Sequence, residues 1–288
     1  MELYRLGLYE KSMPGTLCLR EKLEQTGLAG FDYMELSVDE TAEKLSRLEW
    51  CASEAKKLTD VICETGTPIH SICLSGHRKY PMGHPNPAVR ARSMEIMEQA
   101  LILADRISAR IIQLAGYDVY YEPGTTETRR WFEENLDIAA RLAARYGVVI
   151  AFETMETPFM NTVGKAMEQV RRVDSPWLQV YPDVGNLTNA AVAAKDSVER
   201  DLACGRGHLA AVHLKETVPG VFRKVPFGTG HVDFVSSAAV ALELGVRTFV
   251  GEFWYTGAED WQQDLRSAND FLREKLARAY EACSPMRA

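Results

Sequence analysis

Short apolar runs typical of buried strands alternate with longer amphipathic stretches along this chain of 288 residues. The runs predict eight strands, at Tyr4–Tyr9, Tyr33–Ser37, Ile69–Leu74, Arg110–Leu114, Val148–Phe152, Leu178–Tyr181, Leu209–Leu214 and Thr248–Gly251. The stretches predict eight helices, at 16–29, 50–65, 87–107, 127–146, 159–173, 195–205, 233–244 and 259–281. Strict alternation of this kind predicts a closed (β/α)8 TIM barrel, formed as a single domain by residues 1–288.

An open, doubly wound sheet would show the same alternation and is the structural alternative. No GxGxxG sequence follows the first predicted strand, and no GxxxxGKS/T sequence occurs, so the nucleotide-binding folds lose support. The longest connecting segments all follow the carboxyl ends of predicted strands, at 75–87, 115–126, 154–162, 183–195 and 215–232. In TIM barrels that end carries the active site, so the loop lengths agree with a barrel.

The composition excludes several classes of partner. Hydrophobic residues make up 46% of the chain and charged residues 25%, as in soluble globular proteins, and the net charge is −7. An acidic surface repels phosphate backbones, so we expect no nucleic-acid partner. The chain has no uncharged apolar run near the roughly 20 residues of a membrane helix and no apolar leader, so we expect no membrane partner. Six cysteines without a CxxC pair favour reduced thiols and a cytoplasmic location.

Four predicted strands in the second half of the chain run into residues that can bind a metal. These residues are Glu153, Asp183, His213 and Glu252, at spacings of 30, 30 and 39 residues. Each spacing is about the length of one strand and one crossover helix. Because equivalent ends of parallel strands project from the same face of the sheet, these side chains can converge on one ion.

Three carboxylates and one imidazole suit one divalent metal ion, either Mn²⁺ or Mg²⁺, or alternatively Zn²⁺ or Co²⁺. The absence of cysteine from the set disfavours a structural zinc site. Each residue alone is better explained as a helix cap, a salt-bridge partner or a structural histidine, but four at this spacing favour a metal centre. Glu153 and Glu252 could approach a chelated sugar from opposite sides and each move one proton.

Basic residues near the same strand ends are candidate substrate contacts. His77 and Arg78 follow the third predicted strand and could clamp a phosphate or form an ordinary solvated turn. Lys215, Arg223 and Lys224 lie after the seventh strand, where barrels often bind phosphate, but solvated charge explains them equally well.

Two further acidic residues remain open to both explanations. Glu10 ends the first predicted strand and could hydrogen-bond to a substrate or form a structural ion pair. Glu156 lies just after Glu153 and could support that residue or face solvent.

Several motifs carry a resemblance that covers nearly the whole chain. They include GLYEKSMP at 7–14, ELSVDET at 35–41, CLSGHRKYPMG at 73–83, IQLAGYDVYY at 112–121, YPDVGNL at 181–187, AVHLKET at 211–217, VPFGTGHVDF at 225–234 and GEFW at 251–254. With these motifs the chain resembles the xylose-isomerase-like barrels. Within them it is similar to the sugar-phosphate 3-epimerases that act on L-ribulose 5-phosphate and L-xylulose 5-phosphate.

The resemblance implies that Glu153, Asp183, His213 and Glu252 bind one divalent metal ion and that the two glutamates form the acid/base pair. It implies epimerisation of a small sugar phosphate by proton abstraction at C3 through a cis-enediolate. Free-sugar 3-epimerases usually carry histidine three residues after the aspartate, where this chain has Asn186. The difference favours a sugar phosphate and makes Asn186 a candidate substrate contact.

Other activities on the same barrel stay open. A free-ketose 3-epimerase or an aldose–ketose isomerase would use a similar site, and proton exchange at C1 instead of C3 would identify the isomerase. An apurinic-site endonuclease would need a richer metal cluster and a basic face, whereas this chain has only six histidines. A non-catalytic sugar-binding barrel would not need two opposed carboxylates. Because barrels of this kind often pair through their helices, we expect a homodimer.

Overall fold

The computed structural model describes residues 4–283, which form a barrel of eight parallel strands. The strands are β1 (Arg5–Tyr9), β2 (Tyr33–Val38), β3 (Ile69–Leu74), β4 (Ile111–Ala115), β5 (Val149–Glu153), β6 (Leu178–Tyr181), β7 (Val212–Leu214) and β8 (Thr248–Gly251). Pairing runs in the order β6-β5-β4-β3-β2-β1-β8-β7. Parallel bridges from Val180 to Leu209 and from Asp183 to His213 connect β6 to β7. The predicted TIM barrel is therefore confirmed, and all eight predicted strands are present.

Ten α-helices surround the strands within residues 4–283. They are α1 (Leu19–Leu28), α2 (Ala42–Leu45), α3 (Ala52–Thr65), α4 (Pro87–Arg106), α5 (Thr126–Tyr146), α6 (Val163–Val173), α7 (Val184–Ala194), α8 (Val198–Ala203), α9 (Phe234–Glu243) and α10 (Trp261–Cys283). Eight of them confirm the predicted helices. The apolar faces of the helices and the outer faces of the strands share one continuous core. No helix in this described range is long and apolar enough to cross a bilayer.

Helix boundaries follow local chemistry that is visible in the sequence. Thr125 caps α5 by accepting a hydrogen bond from the amide of Thr128, and Gly147 ends the helix with a φ of 64°. Gly66 ends α3 in the same left-handed conformation, with a φ of 68°. Glycine adopts this conformation without the steric cost that a Cβ atom would bring.

The segment 183–195 was expected to be a loop, and this expectation was wrong, because residues 184–194 form α7. The helix begins at Asp183, whose Oδ1 accepts a hydrogen bond from the amide of Asn186 at 2.8 Å. Its first six residues are buried although three of them are polar, so polarity does not mark the exposed face of this helix as it does in an amphipathic one. A helix that begins at a buried capping residue therefore lies where a loop was expected, beside the predicted metal ligands.

A second, smaller core fills the inside of the barrel. It contains one buried residue from each strand or the segment leading into it, namely Tyr9, Tyr33, Cys73, Ile111, Ala151, Tyr181, Ala211 and Val250. Side chains of a strand alternate between its two faces, so the residue two positions further along each strand also points inward. These inner positions at the carboxyl ends of the strands form the floor of the site.

Candidate metal centre and active site

Strand alternation brings the four predicted metal ligands together. Glu153, Asp183, His213 and Glu252 each lie two residues after a member of the inner core, and all four are buried. One donor atom from each lies within 4.8 Å of the others. The structure therefore brings these residues to one point, as the strand spacing predicted.

The imidazole of His213 faces the three carboxylates through Nδ1. This atom lies 3.5 Å from Glu252 Oε2, 3.7 Å from Glu153 Oε1 and 4.0 Å from Asp183 Oδ2. It is buried and has no hydrogen-bond partner of good geometry among the residues that the structure describes. An unpaired buried nitrogen is costly unless something binds it, and a cation between the four donors would do so.

Lys215 places its ammonium group against the same carboxylates. Nζ lies 2.6 Å from Asp183 Oδ2 and 3.3 Å from Glu252 Oε2. Burial raises the pKa of Asp183 to about 8, although the Lys215 ammonium opposes this rise. Burial would also raise the pKa of Glu252, but Lys215 and His213 together hold it well below its ordinary value. Since metal ligands bind as ionised carboxylates, a bound cation would oppose the rise that burial causes in the pKa of Asp183.

Two buried residues that we did not predict complete the inner layer. Glu35 on β2 accepts hydrogen bonds from Ser71 Oγ at 2.6 Å and the Tyr181 hydroxyl at 2.9 Å, and its Oε1 lies 2.7 Å from His213 Nε2. Gln113 on β4 donates from Nε2 to Glu153 Oε2. Both are polar residues inside otherwise apolar predicted strands, and that signal could have identified them.

This donor set fits a divalent cation. Four carboxylates, those of Glu35, Glu153, Asp183 and Glu252, surround one imidazole and one ammonium group. Excess negative charge away from water is unfavourable, and a cation bound by oxygen and imidazole donors removes the excess. The four residues of the cluster would hold the ion, while Glu35 and Gln113 contact its ligands.

A cavity of about 120 Å³ opens above the cluster at the carboxyl ends of the strands. Five predicted substrate-contact residues line it, namely Arg78, Glu156, Asn186, Lys215 and Arg223, together with Glu153 and Glu252. This volume is well below the roughly 300–1,000 Å³ of pockets for drug-sized ligands, so the cavity suits a small polar molecule.

Glu156 organises one wall of this cavity. Its Oε1 accepts a hydrogen bond from Arg223 Nη2 at 2.8 Å and another from the Tyr120 hydroxyl at 3.1 Å. The Arg78 guanidinium lies 4.7 Å from the centre of the Tyr120 ring. Tyr120 thus links the two guanidinium groups in the cavity lining, because Arg78 contacts its ring and Arg223 contacts its hydrogen-bond partner Glu156.

The structure does not bring Glu10, His77 or Lys224 to this cavity. Glu10 is fully buried among three cationic side chains, which corresponds to the ion-pair explanation. His77 is buried against α4 and bonds through Nε2 to the Ser93 carbonyl group at 3.1 Å. Lys224 is exposed and lines a neighbouring, aromatic-rich cavity of about 440 Å³.

Comparisons with known proteins agree with the fold and the site. A family model described as xylose isomerase-like TIM barrel matches residues 23–275. The L-ribulose-5-phosphate 3-epimerases UlaE of Escherichia coli O157:H7 and Shigella boydii serotype 18 are each 42% identical over 275 residues, covering 95% of both chains.

Solved structures show the same fold at low identity. An L-ribulose 3-epimerase structure superimposes with a TM-score of 0.76 at 19% identity, covering 99% of this chain and 98% of that one. A D-psicose 3-epimerase from Clostridium cellulolyticum H10 superimposes with a TM-score of 0.78 at 17% identity, covering 94% and 99%. At this level of identity the likeness supports the fold and no particular substrate.

Proposed function

Because this chain belongs to the xylose isomerase-like TIM barrel family, we propose that it is a metal-dependent 3-epimerase that interconverts L-ribulose 5-phosphate and L-xylulose 5-phosphate. The observation that carries the proposal is the meeting of Glu153 and Glu252, from separate strands, at one cluster of metal-binding donors. The relatives that are 42% identical over nearly the whole chain bear the corresponding name.

The reaction requires one proton to leave C3 and another to return on the opposite face. When bound, the divalent cation would polarise the C2 carbonyl group and acidify the C3–H bond. Glu153 and Glu252 both line the cavity, so each can reach a substrate that lies between them. Since the reaction is reversible, each glutamate accepts the proton in one direction and donates it in the other. The substrate passes through a cis-enediolate that both epimers share.

Asn186 supplies a further substrate contact in this proposal. Its Nδ2 donates to the Thr154 carbonyl group at 2.7 Å, which fixes the orientation of the side-chain amide. The amide oxygen, Oδ1, is buried and without a partner among residues 4–283, and Asn186 lines the cavity. A sugar hydroxyl group that donates to this oxygen would satisfy it.

We assign the phosphate group to Arg78 and Arg223. Both line the cavity, and guanidinium groups bind phosphate through several directed hydrogen bonds. Glu156 contributes indirectly, because it holds Arg223 and the Tyr120 ring on which Arg78 rests. Lys215 is assigned to the cluster and not to the phosphate, since its ammonium group lies between Asp183 and Glu252.

The location and assembly of the protein are further parts of the proposal. Among residues 4–283, Cys18, Cys51, Cys63, Cys73 and Cys204 form no disulfide, which supports the reducing environment of the cytoplasm. The homodimer stays a prediction, and sedimentation of the purified protein would test it.

Proton exchange in D₂O tests the proposal directly. The metal-supplemented protein is incubated with L-ribulose 5-phosphate, and NMR follows both deuterium at C3 and formation of the second epimer. We expect Glu153→Gln and Glu252→Gln to slow exchange by about 10²–10⁴-fold, while the exposed Glu127→Gln changes nothing.

Three outcomes would contradict the proposal. Exchange at C1 would indicate an aldose–ketose isomerase, and turnover of the free ketose alone would indicate a free-sugar epimerase. Wild-type exchange rates in either glutamine variant would remove that glutamate from the reaction.

A further inference from the structure

Glu35 lies at the centre of the barrel below the proposed metal centre, and it contacts three different strands. Its carboxylate is fully buried and bonds to Ser71 on β3, Tyr181 on β6 and His213 on β7. Glu35 does not line the cavity. Any effect of Glu35 on the proposed metal centre must therefore pass through the side chains that it contacts.

The way in which these bonds are divided between the two carboxylate oxygens determines which ring nitrogen of His213 carries the proton. Oε2 accepts from the Ser71 and Tyr181 hydroxyl groups, while Oε1 is left for His213 Nε2 at 2.7 Å. The same carboxylate already accepts from two hydroxyl groups, so its Oε1 is placed as the acceptor of a proton on Nε2. In the neutral imidazole, the form that binds a metal, the lone pair is then on Nδ1, which faces Glu153, Asp183 and Glu252 at 3.5–4.0 Å.

The Tyr181 ring restrains the same imidazole from a second direction. Its centre lies 4.7 Å from that of His213 with an interplanar angle of 62°, an edge-to-face contact. The hydroxyl group of this ring is also one of the donors to Glu35. Rotation of the His213 ring would therefore break its bond to Glu35 and disturb the Tyr181 contact.

We propose that Glu35 is a positioning residue that holds His213 in the Nε2-protonated tautomer and thereby presents Nδ1 as the metal ligand. The inference rests on the proposed metal centre and extends it to a residue that touches neither metal nor substrate. Carboxylate partners of metal-bound histidines orient the ring and strengthen the ligand, and their loss weakens metal binding by about 10–100-fold.

The test measures metal affinity and the histidine tautomer, so it does not depend on turnover. Titration calorimetry with Mn²⁺ compares the wild-type protein with Glu35→Gln. In this variant one carboxylate oxygen becomes an NH₂ group, the other becomes a neutral amide oxygen, and the negative charge is lost. Ser71→Ala and Tyr181→Phe are matched controls, because each removes a bond to Glu35 while leaving the Oε1 to His213 contact in place. We expect the dissociation constant to rise by about 10–100-fold in Glu35→Gln and by much less in both controls.

Long-range ¹H–¹⁵N spectra of the Zn²⁺-loaded protein report the tautomer, with His213→Gln used to assign the signal. We expect a proton on Nε2 in the wild-type protein and both controls. A proton on Nδ1 in the wild-type protein would overturn the inference even if Glu35→Gln did not fold. Unchanged affinity and tautomer in a folded Glu35→Gln would overturn it while leaving the metal centre intact. Failure of the wild-type protein to bind Mn²⁺ or Zn²⁺ would refute the metal centre and this inference together.

Discussion

Replacement of Glu10 by glutamine distinguishes a structural role from the substrate contact that the sequence also allowed. Its carboxylate receives the Lys22 ammonium at 2.8 Å, the Lys44 ammonium at 2.7 Å and the Arg47 guanidinium at 2.6 and 2.8 Å. The amide of Ser37 donates a further bond at 2.8 Å. Glu10→Gln would remove the buried negative charge that these cations share and leave all three facing a neutral amide.

The expected cost follows from the burial of the cluster. The side chain of Glu10 is fully buried and those of Lys22, Lys44 and Arg47 are at most 11% exposed, so water screens their repulsion poorly. Removal of one partner from a buried ion pair costs about 3–5 kcal/mol, and we expect Glu10→Gln to fall in this range. For a chain of this size, with an unfolding entropy of about 0.6 kcal/mol/K, the loss corresponds to a fall in Tm of roughly 5–8 °C.

The pH dependence of this loss has a definite sign. Burial would raise the pKa of Glu10, but Arg47, Lys22 and Lys44 hold it well below its ordinary value. A folded-state pKa below the unfolded value means that the stabilisation is present above the unfolded pKa and is lost as pH falls below it. The difference between wild type and Glu10→Gln should therefore be full at pH 7 and shrink below about pH 4.3.

The measurement is the Tm of wild type and Glu10→Gln by thermal unfolding, together with the KM of both proteins in the epimerisation assay. Glu43→Gln is the matched control, because Glu43 also contacts Lys44, at 3.7 Å, but its side chain is 77% exposed. We expect that control to change stability by less than about 1 kcal/mol. An unchanged Tm in Glu10→Gln together with a raised KM would refute the structural assignment and restore Glu10 as a substrate contact.

Three shorter predictions concern other parts of the molecule. Burial lowers the pKa of His77 to about 4, below its unfolded value of 6.5. Acidification from pH 6.5 to 4 should therefore cost roughly 3 kcal/mol of stability. Urea unfolding should show less of this loss in His77→Gln than in the wild-type protein. Removal of the metal with EDTA should lower Tm, because an ion at 100 times its dissociation constant contributes about 2.7 kcal/mol, and an unchanged melting curve would count against the metal centre. Arg223→Gln should raise KM for the phosphorylated substrate by about 10–100-fold, whereas Lys224→Gln, which lies outside the cavity, should not, and equal effects of both variants would argue against a specific contact.

The sequence was sufficient for the barrel and for the convergence of four side chains that can bind a metal, because both depend on periodicity. Strands that repeat at about 30 residues bring their carboxyl ends to one face, and this argument located Glu153, Asp183, His213 and Glu252 without knowledge of a contact. The helix α7 was missed because its buried first half contains Gly185 and polar residues such as Asn186 and Asn189, which have weak helix propensity and are more often exposed.

The partners of each charged residue could not be predicted, since they come from elements far apart in the chain. Arg47 contacts Glu10 from 37 positions away, and Glu35 contacts His213 from 178 positions away. Nothing in the local sequence indicates such pairings, so the sequence left a structural ion pair and a substrate contact equally open for Glu10.

Charge compensation separates the roles of four glutamates that lie on or directly after barrel strands. Glu10 directly follows β1, and three cations surround and compensate its carboxylate. Glu35 contacts three hydrogen-bonding side chains from other strands, which suits a residue that orients a neighbour. Glu153 has one amide donor, and Glu252 shares a single ammonium group with Asp183. Glu153 and Glu252 both line the cavity, and in the proposed reaction they are the pair that would bind the cation and carry the proton.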